Sequence, residues 1–390
     1  MLFVKYAAIA VLFAVVALCL AITIVPRFLD RVYYRGPVSD HFDGERFFNP
    51  DGDADTTRLP MPAGNSRTRF FWNQLTGNDG RPAWPKSVAV HAVAPPVRVE
   101  GERMVVTWVG HASVLVQTQG LNILTDPVWS EVAGPLGIGP HRVAEPGIAF
   151  DQLPKIDLVL VSHNHYDHLD LPTLKRLWQR DKPLVVTSLG NDSVIGQAGV
   201  PARALDWGGE VNVKPGIDVI VTRNHHWGSR WGTDRNRALW SSFVVRMPGG
   251  NVFFSGDTGM GDGLWPGEAA AYGPVRFAMI PIGAFRFVPG QMESGSHVGP
   301  ADAVEIYRRL GAAQALPIHW GTFRLSFEAY DTPPKMLAAA MACTGQTGFA
   351  PEPIGVPFDV PAYVAPKPVT AMPREALLKC LDTPEVRALR

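Results

Sequence analysis

The chain has 390 residues, 46% of them apolar and 18% charged, with a formal net charge of zero. That length suits one substantial domain with an addition, and a neutral surface leaves no basic footprint for nucleic acid. Three cysteines exclude a disulfide framework: Cys19 lies in an N-terminal apolar run, leaving Cys343 and Cys380 as the available pair.

In chain order, the first element is YAAIAVLFAVVALCLAITIV at 6–25, which carries no charge. A helix rises about 1.5 Å per residue, so this run spans the roughly 30 Å hydrocarbon core of a bilayer. A cleaved signal peptide is the competing reading, but the run is long for one and no small-x-small site follows it. Arg27, Arg31 and Arg35 flank one end and Lys5 the other, so charge barely orients the span. Residues 36–100, rich in Pro, Gly and Asp and including HFDGERFFNP and PMPAGNSR, read as an irregular lead-in that wraps the domain. MVVTWV, SVLVQT and LNILTD follow as a strand meander, and DLVLVSH at 157–163 reads as a buried strand. LPTLKRLWQR is helical, with Asp170 as N-cap and Pro172 in the first turn. IDVIVTR, SSFVVR, NVFFSG, FAMIPIG and QALPIHW read as strands, PADAVEIYRRLG as a helix, and PREALLKCLDTPEVRALR as one surface helix. Strands and helices alternating in two similar halves predict two face-to-face sheets with helices outside, a four-layer α/β/β/α arrangement.

The chemistry concentrates in Ser162-His163-Asn164-His165-Tyr166-Asp167-His168, directly after a buried strand. Neutral imidazoles and carboxylates are zinc ligands, and no CxxC knuckle competes with them. The plain alternative is a polar loop whose histidines satisfy backbone carbonyls, but so many ionisable groups beside a buried strand are costly without a partner. Further candidates end other strands: Asn224-His225-His226-Trp227, Ser255-Gly256-Asp257-Thr258-Gly259 and Ile318-His319-Trp320.

HxHxDH, then His, Asp in GDTG and a final His form a pattern that resembles the metallo-β-lactamase superfamily. WVGHASVLVQTQGLNILTDPVWS, SHNHYDHLD, FFSGDTGMGDG and PIHWGTF are similar to its branch of N-acyl-phosphatidylethanolamine-hydrolysing phospholipase D. The resemblance covers roughly 100–335. It implies an αββα sandwich, preceded here by one transmembrane helix. It also implies two zinc ions, with manganese and iron sharing the same donor preference. His163, His165 and His226 match the first-metal ligands; Asp167, His168 and His319 the second; Asp257 the bridging carboxylate. His226 is preferred to His225 because His-Trp-x-x-Arg fits only at 226–230, although His225 stands where the branch has Gln. His111 in GHAS resembles the branch's GHAT segment, where it either positions the site for substrate or only bonds a backbone carbonyl; His297 in SHVGP matches a branch His near the substrate head group, and Asp126 in LTDP matches a support for a metal-bound His.

The expected layout is an anchor at 1–26, a lead-in at 27–100, a hydrolase domain at 101–365 and a helical tail at 366–390. The expected function is hydrolysis of a lipid phosphodiester of the N-acyl-phosphatidylethanolamine kind by a water activated between two metals, with Asp167 and Asp257 acting on that water. Partners would be a lipid substrate and, through the helix, a bacterial inner membrane on an unspecified side; a homodimer is compatible. Trp129, Trp227, Trp231, Phe285, Phe287 and Trp320 lie on the motif loops and could line an apolar pocket. A lactonase or other acyl-bond hydrolase would use the same centre, and a non-catalytic envelope binding protein is the reading of a different class.

Overall fold

The computed structural model describes residues 2–52, 81–287 and 290–389, so PMPAGNSR at 60–67 lies outside the described residues. Helix α1 (Leu2–Leu29) is long and apolar enough to cross a membrane, and its most apolar window is not buried against the domain. The described residues just after α1 are firmly seated on the domain. Phe42 and Phe47 are fully buried with Leu239 and Trp240, Tyr33 packs into the domain core, and Asp30 pairs with Arg46 and Arg237, each at 2.8 Å.

The first sheet runs β13-β1-β2-β3-β4-β5-β6 and comprises β1 (Met104–Gly110), β2 (Ser113–Thr118), β3 (Leu121–Thr125), β4 (Leu158–Val161), β5 (Leu184–Ser188), β6 (Arg203–Leu205) and β13 (Phe358–Val360). The second runs β12-β11-β10-β9-β8-β7, with β7 (Glu210–Lys214), β8 (Ile217–Thr222), β9 (Ser242–Arg246), β10 (Asn251–Phe254), β11 (Val275–Pro281) and β12 (Gln314–Ile318). In each sheet one half is antiparallel and the other parallel: β3-β4-β5-β6 in the first and β10-β11-β12 in the second are the parallel runs.

Side-chain alternation explains the layers. Leu158 and Leu160 of β4 face the second sheet, where they join Val219, Phe243, Phe254 and Met279, whereas Val159 and Val161 face outward onto helices. A strand buried on both faces is apolar throughout, hence LVLV at 158–161. Helices α2 (Leu171–Arg180) and α3 (Asn191–Gly196) cover the outside of the first sheet. Helices α4 (Trp265–Ala270), α5 (Pro300–Leu310) and α6 (Thr332–Thr344) cover the second. The fold is the four-layer αββα sandwich.

Two local expectations change. Asp170 occupies the N-cap position of α2 but makes no capping bond to the helix; its carboxylate accepts from the Thr173 hydroxyl (2.6 Å) and the Ser130 N–H (2.9 Å), tying the loop after β3 to the helix. The C-terminal tail is two helices, α7 (Arg374–Leu381) and α8 (Pro384–Arg387), broken where Pro384 withdraws an N–H and Thr383 caps the Val386 N–H. This tail is held down: Leu377 and Leu381 are buried on the α5–α6 layer, and a Cys343–Cys380 disulfide joins α6 to α7.

Candidate metal centre

Chemistry-bearing residues from five strand ends and one tight turn converge at one edge of the sandwich. β4 ends into 162–168, β8 into 224–226, β10 into 255–259 and β12 into His319, while His111 occupies the β1–β2 turn and Asp126 follows β3. His111, Asp126 and His319 all have positive φ (52°, 28° and 63°), a backbone state that side chains normally avoid and that marks sites where the fold dictates direction.

Histidines and carboxylates form two adjoining groups of potential ligand atoms, those of each lying within 4.8 Å of one another: His163, His165, His226 and Asp257; and His111, Asp167, His168 and His319. Asp257 also joins the groups, its Oδ2 lying 3.0 Å from both His168 Nε2 and His319 Nε2. Hydrogen bonding fixes which nitrogens are bare. Asp126 accepts from the Ser162 N–H (2.7 Å), the Ser162 hydroxyl (2.6 Å) and His168 Nδ1 (2.6 Å). Ser162, having given its proton, accepts from His163 Nδ1 (2.9 Å), and His226 Nδ1 donates to the Ser296 carbonyl (2.9 Å). Each of these three rings therefore turns Nε2 to the interior, where it offers a lone pair whenever the ring is neutral.

That arrangement calls for a cation. His163 Nε2 and His165 Nδ1 face each other at 2.8 Å, with His226 Nε2 3.4 Å from the latter. Both Asp257 oxygens and the Nε2 atoms of His168 and His319 are buried with no hydrogen-bond partner. Burial drives His163 and His226 well below the usual imidazole range, reinforced by neighbouring histidines, so both are neutral and fit to ligate. Burial acts the same way on His319, yet Asp257 and Asp167 overcome it and push the ring up to about 9; they and Asp126 likewise drive His168 upward. The carboxylates thus demand positive charge where the lone pairs point, and a divalent metal ion fits that donor set.

The remaining sequence candidates are distributed unevenly. His111 Nε2 lies 3.0 Å from Asp167 Oδ2, inside the second group, and burial lowers its pKa to about 3. His297 stands at the edge, its Nδ1 3.8 Å from Asp257. His225 turns away: its Nδ1 contacts Asp51 at 3.0 Å, in the lead-in. The apolar-pocket expectation narrows, because only Trp227 and Phe287 of the six aromatics line the cleft. This cleft is about 390 Å³ and is also walled by Ile138, Tyr166, Leu325 and His297. Phe285 and Trp320 pack inward, and Trp129 bonds the Ile148 carbonyl.

Other contributors went unread in the sequence. Asn49 donates to the His226 carbonyl (2.9 Å), and Arg230 donates to the carbonyls of Asn164 (3.1 Å) and Leu169 (2.8 Å), bracing the 162–168 loop while lying over the Tyr166 ring. Arg230 was visible only as the last letter of His-Trp-x-x-Arg, and Asn49 had no local signal.

Residues 121–320 match the model of the beta-lactamase superfamily domain. The chain belongs to the metallo-β-lactamase superfamily. Within it, this hydrolase falls in the branch of N-acyl-phosphatidylethanolamine-hydrolysing phospholipase D. It is 34% identical over 240 residues to N-acyl-phosphatidylethanolamine-hydrolyzing phospholipase D 1 of Caenorhabditis elegans, covering 59% of this chain and 67% of that one. The mitochondrial enzyme of the same name from Saccharomyces cerevisiae is 32% identical, over 59% of this chain and 50% of its own. An uncharacterized protein of Mycobacterium tuberculosis is also 32% identical, over 67% and 69%. Among solved structures, isothiocyanate hydrolase from Delia radicum gut bacteria superposes with a TM-score of 0.51 at 16% identity, covering 65% of this chain and 98% of that one. The diiron β-hydroxylase CmlA of Streptomyces venezuelae gives 0.50 at 17% identity over 66% and 54%. At such identities the likeness concerns the fold alone.

Proposed function

We propose that this hydrolase is a dinuclear zinc phosphodiesterase of phospholipase D type, held in a membrane by α1 and acting on N-acyl-phosphatidylethanolamine-like lipids. The observation that carries the reading is the pair of adjoining ligand groups sharing Asp257, in a chain 34% identical to an enzyme named for that reaction. His163, His165 and His226 would hold one metal and Asp167, His168 and His319 the other, with Asp257 between. When bound, such a pair lowers the pKa of a water and neutralises charge on phosphoryl oxygens.

The chain's own residues supply the rest. Asp126 fixes the tautomer of His168 directly and that of His163 through Ser162. Neutral His111 donates from Nε2 to Asp167 and keeps that carboxylate turned inward. Asp167 would also orient the attacking water or handle its proton. His297, on the cleft wall beside Asp257, would contact the phosphate of a bound lipid. Trp227 and Phe287 give the cleft an apolar side for the lipid backbone.

The test uses the full chain in detergent, loaded with zinc, and three substrates: N-acyl-phosphatidylethanolamine, bis-p-nitrophenyl phosphate and a small lactone. Cleavage of both phosphodiesters, lost by more than about 1,000-fold in Asp257→Ala, is the expected result. Lactone opening without phosphodiester cleavage would replace the proposed reaction with acyl-bond hydrolysis at the same centre.

A further inference from the structure

Two features border the cleft without holding metal. One is the tip at 134–140, closed by the Ala133 N–H bond to the Pro140 carbonyl (3.0 Å) and by the bridge between Val132 and His141. Leu136, at φ 54°, is 88% exposed, the highest value of any large apolar side chain among the described residues, and Ile138 is 75% exposed. Ile138 also belongs to the cleft wall, with Tyr166, Trp227 and Ser229.

The other feature is the base of α1. Tyr33 donates its hydroxyl proton to Asp234 (2.8 Å), and the same carboxylate accepts from Ser229 (2.6 Å), so one side chain stands between the lead-in and the cleft wall. Asp30, the first residue beyond the helix, is fixed by Arg46 and Arg237. The span is therefore bolted to the rim of the cleft and is not a free tether. Arg27, Arg31 and Arg35 are exposed around this base.

We propose that the 134–140 tip and the clamped base of α1 together form a bilayer-docking face that presents the mouth of the cleft to lipid headgroups; this rests on the anchored lipid-hydrolase reading above. Leu136 and Ile138 enter the headgroup–acyl boundary, where burying apolar surface is favourable, and the arginines meet lipid phosphates. Because both contacts surround the same opening, a lipid reaches the metal groups by moving partly out of its own leaflet and never through bulk water.

The experiment uses the full chain in phosphatidylethanolamine–phosphatidylglycerol proteoliposomes, without reductant so that the Cys343–Cys380 bond is kept. An environment-sensitive fluorophore is attached either to Cys19, the free cysteine within α1, or to Leu136→Cys in a Cys19→Ser background. Bromine-labelled lipids should quench both labels, while a label at exposed Val364, which lines no part of the cleft, stays bright. Quenching at position 19 alone would overturn the docking face and leave the anchor standing. Quenching at neither position would remove the anchored reading and the docking face with it. In turnover, Leu136→Asp should lower cleavage of the bilayer-borne phosphodiester about tenfold and leave dissolved bis-p-nitrophenyl phosphate unchanged. An equal fall on both substrates would assign the tip to cleft shape and overturn the proposal.

Discussion

At the turn after β8, two adjacent histidines have opposite fates. His226 sends Nε2 toward His165 and Asp257 with Nδ1 fixed by the Ser296 carbonyl, whereas His225 spends Nδ1 on Asp51. His226→Ala should therefore lose about one equivalent of bound metal and nearly all activity, since a site stripped to two nitrogens and a carboxylate is incomplete. His225→Ala should retain both equivalents. Metal analysis of the two purified variants decides, and the reverse pattern would exchange the assignments. The cluster at 163–168 was legible because its ligands lie within six positions of one another. Asn49 and Asp51 were not, because only the folded lead-in brings them to the turn after β8. His111 was half legible: its motif was visible, but its place beside Asp167 depends on a left-handed residue in the β1–β2 turn.

Among the elements, those buried on both faces were the readable ones. β4 is apolar throughout, and β10 and β11 are apolar but for Asn251 and Arg276, because the other sheet lies on one side and helices on the other. β6, β7 and β13 at the sheet edges are short, partly exposed and polar enough to pass for loop, and their pairing depends on distant partners. The α5–α7 contact carries a pH-sensitive group of its own. Burial pushes the Asp302 carboxyl up to about 6 from 3.8, although Arg374 pulls the other way. A carboxyl raised on folding holds its proton in the native state while the unfolded chain has released it. The resulting stability is full below about pH 4 and is lost as pH rises through about 6. Asp302→Asn removes that titration. Urea denaturation at pH 4.5 and 7.5 should show the Asn variant gaining about 2 kcal/mol relative to the parent at the higher pH. A gap independent of pH would show that Arg374 keeps Asp302 ionised throughout.

On the scale of the whole molecule, the boundary between the apolar helix and the enzyme is not where composition changes. Tyr33 is buried in the domain core and Asp30 is tied to Arg46 and Arg237, so the residues just after the apolar run behave as part of the enzyme. A soluble form starting at residue 30 should melt cooperatively, and one starting at 36 should be about 3 kcal/mol less stable, having lost a buried tyrosine and its hydrogen bond. Equal midpoints in thermal or urea melts would make these contacts incidental. The Cys343–Cys380 bridge between α6 and α7 bears on where this enzyme can live. Cystines persist in secreted and periplasmic surroundings and are rare where glutathione and thioredoxin keep thiols reduced. For a chain inserted through α1, that chemistry selects the topology that the flanking charges leave undecided, with the amino terminus in the cytosol and the catalytic domain outside. Alkaline phosphatase fused after Leu389 should then be active in cells, and an inactive fusion would put the domain in the cytosol. Exported in this way, the enzyme would draw both its metal ions and its substrate from outside the cytosol, beyond the reach of the cell's own thiol reductants.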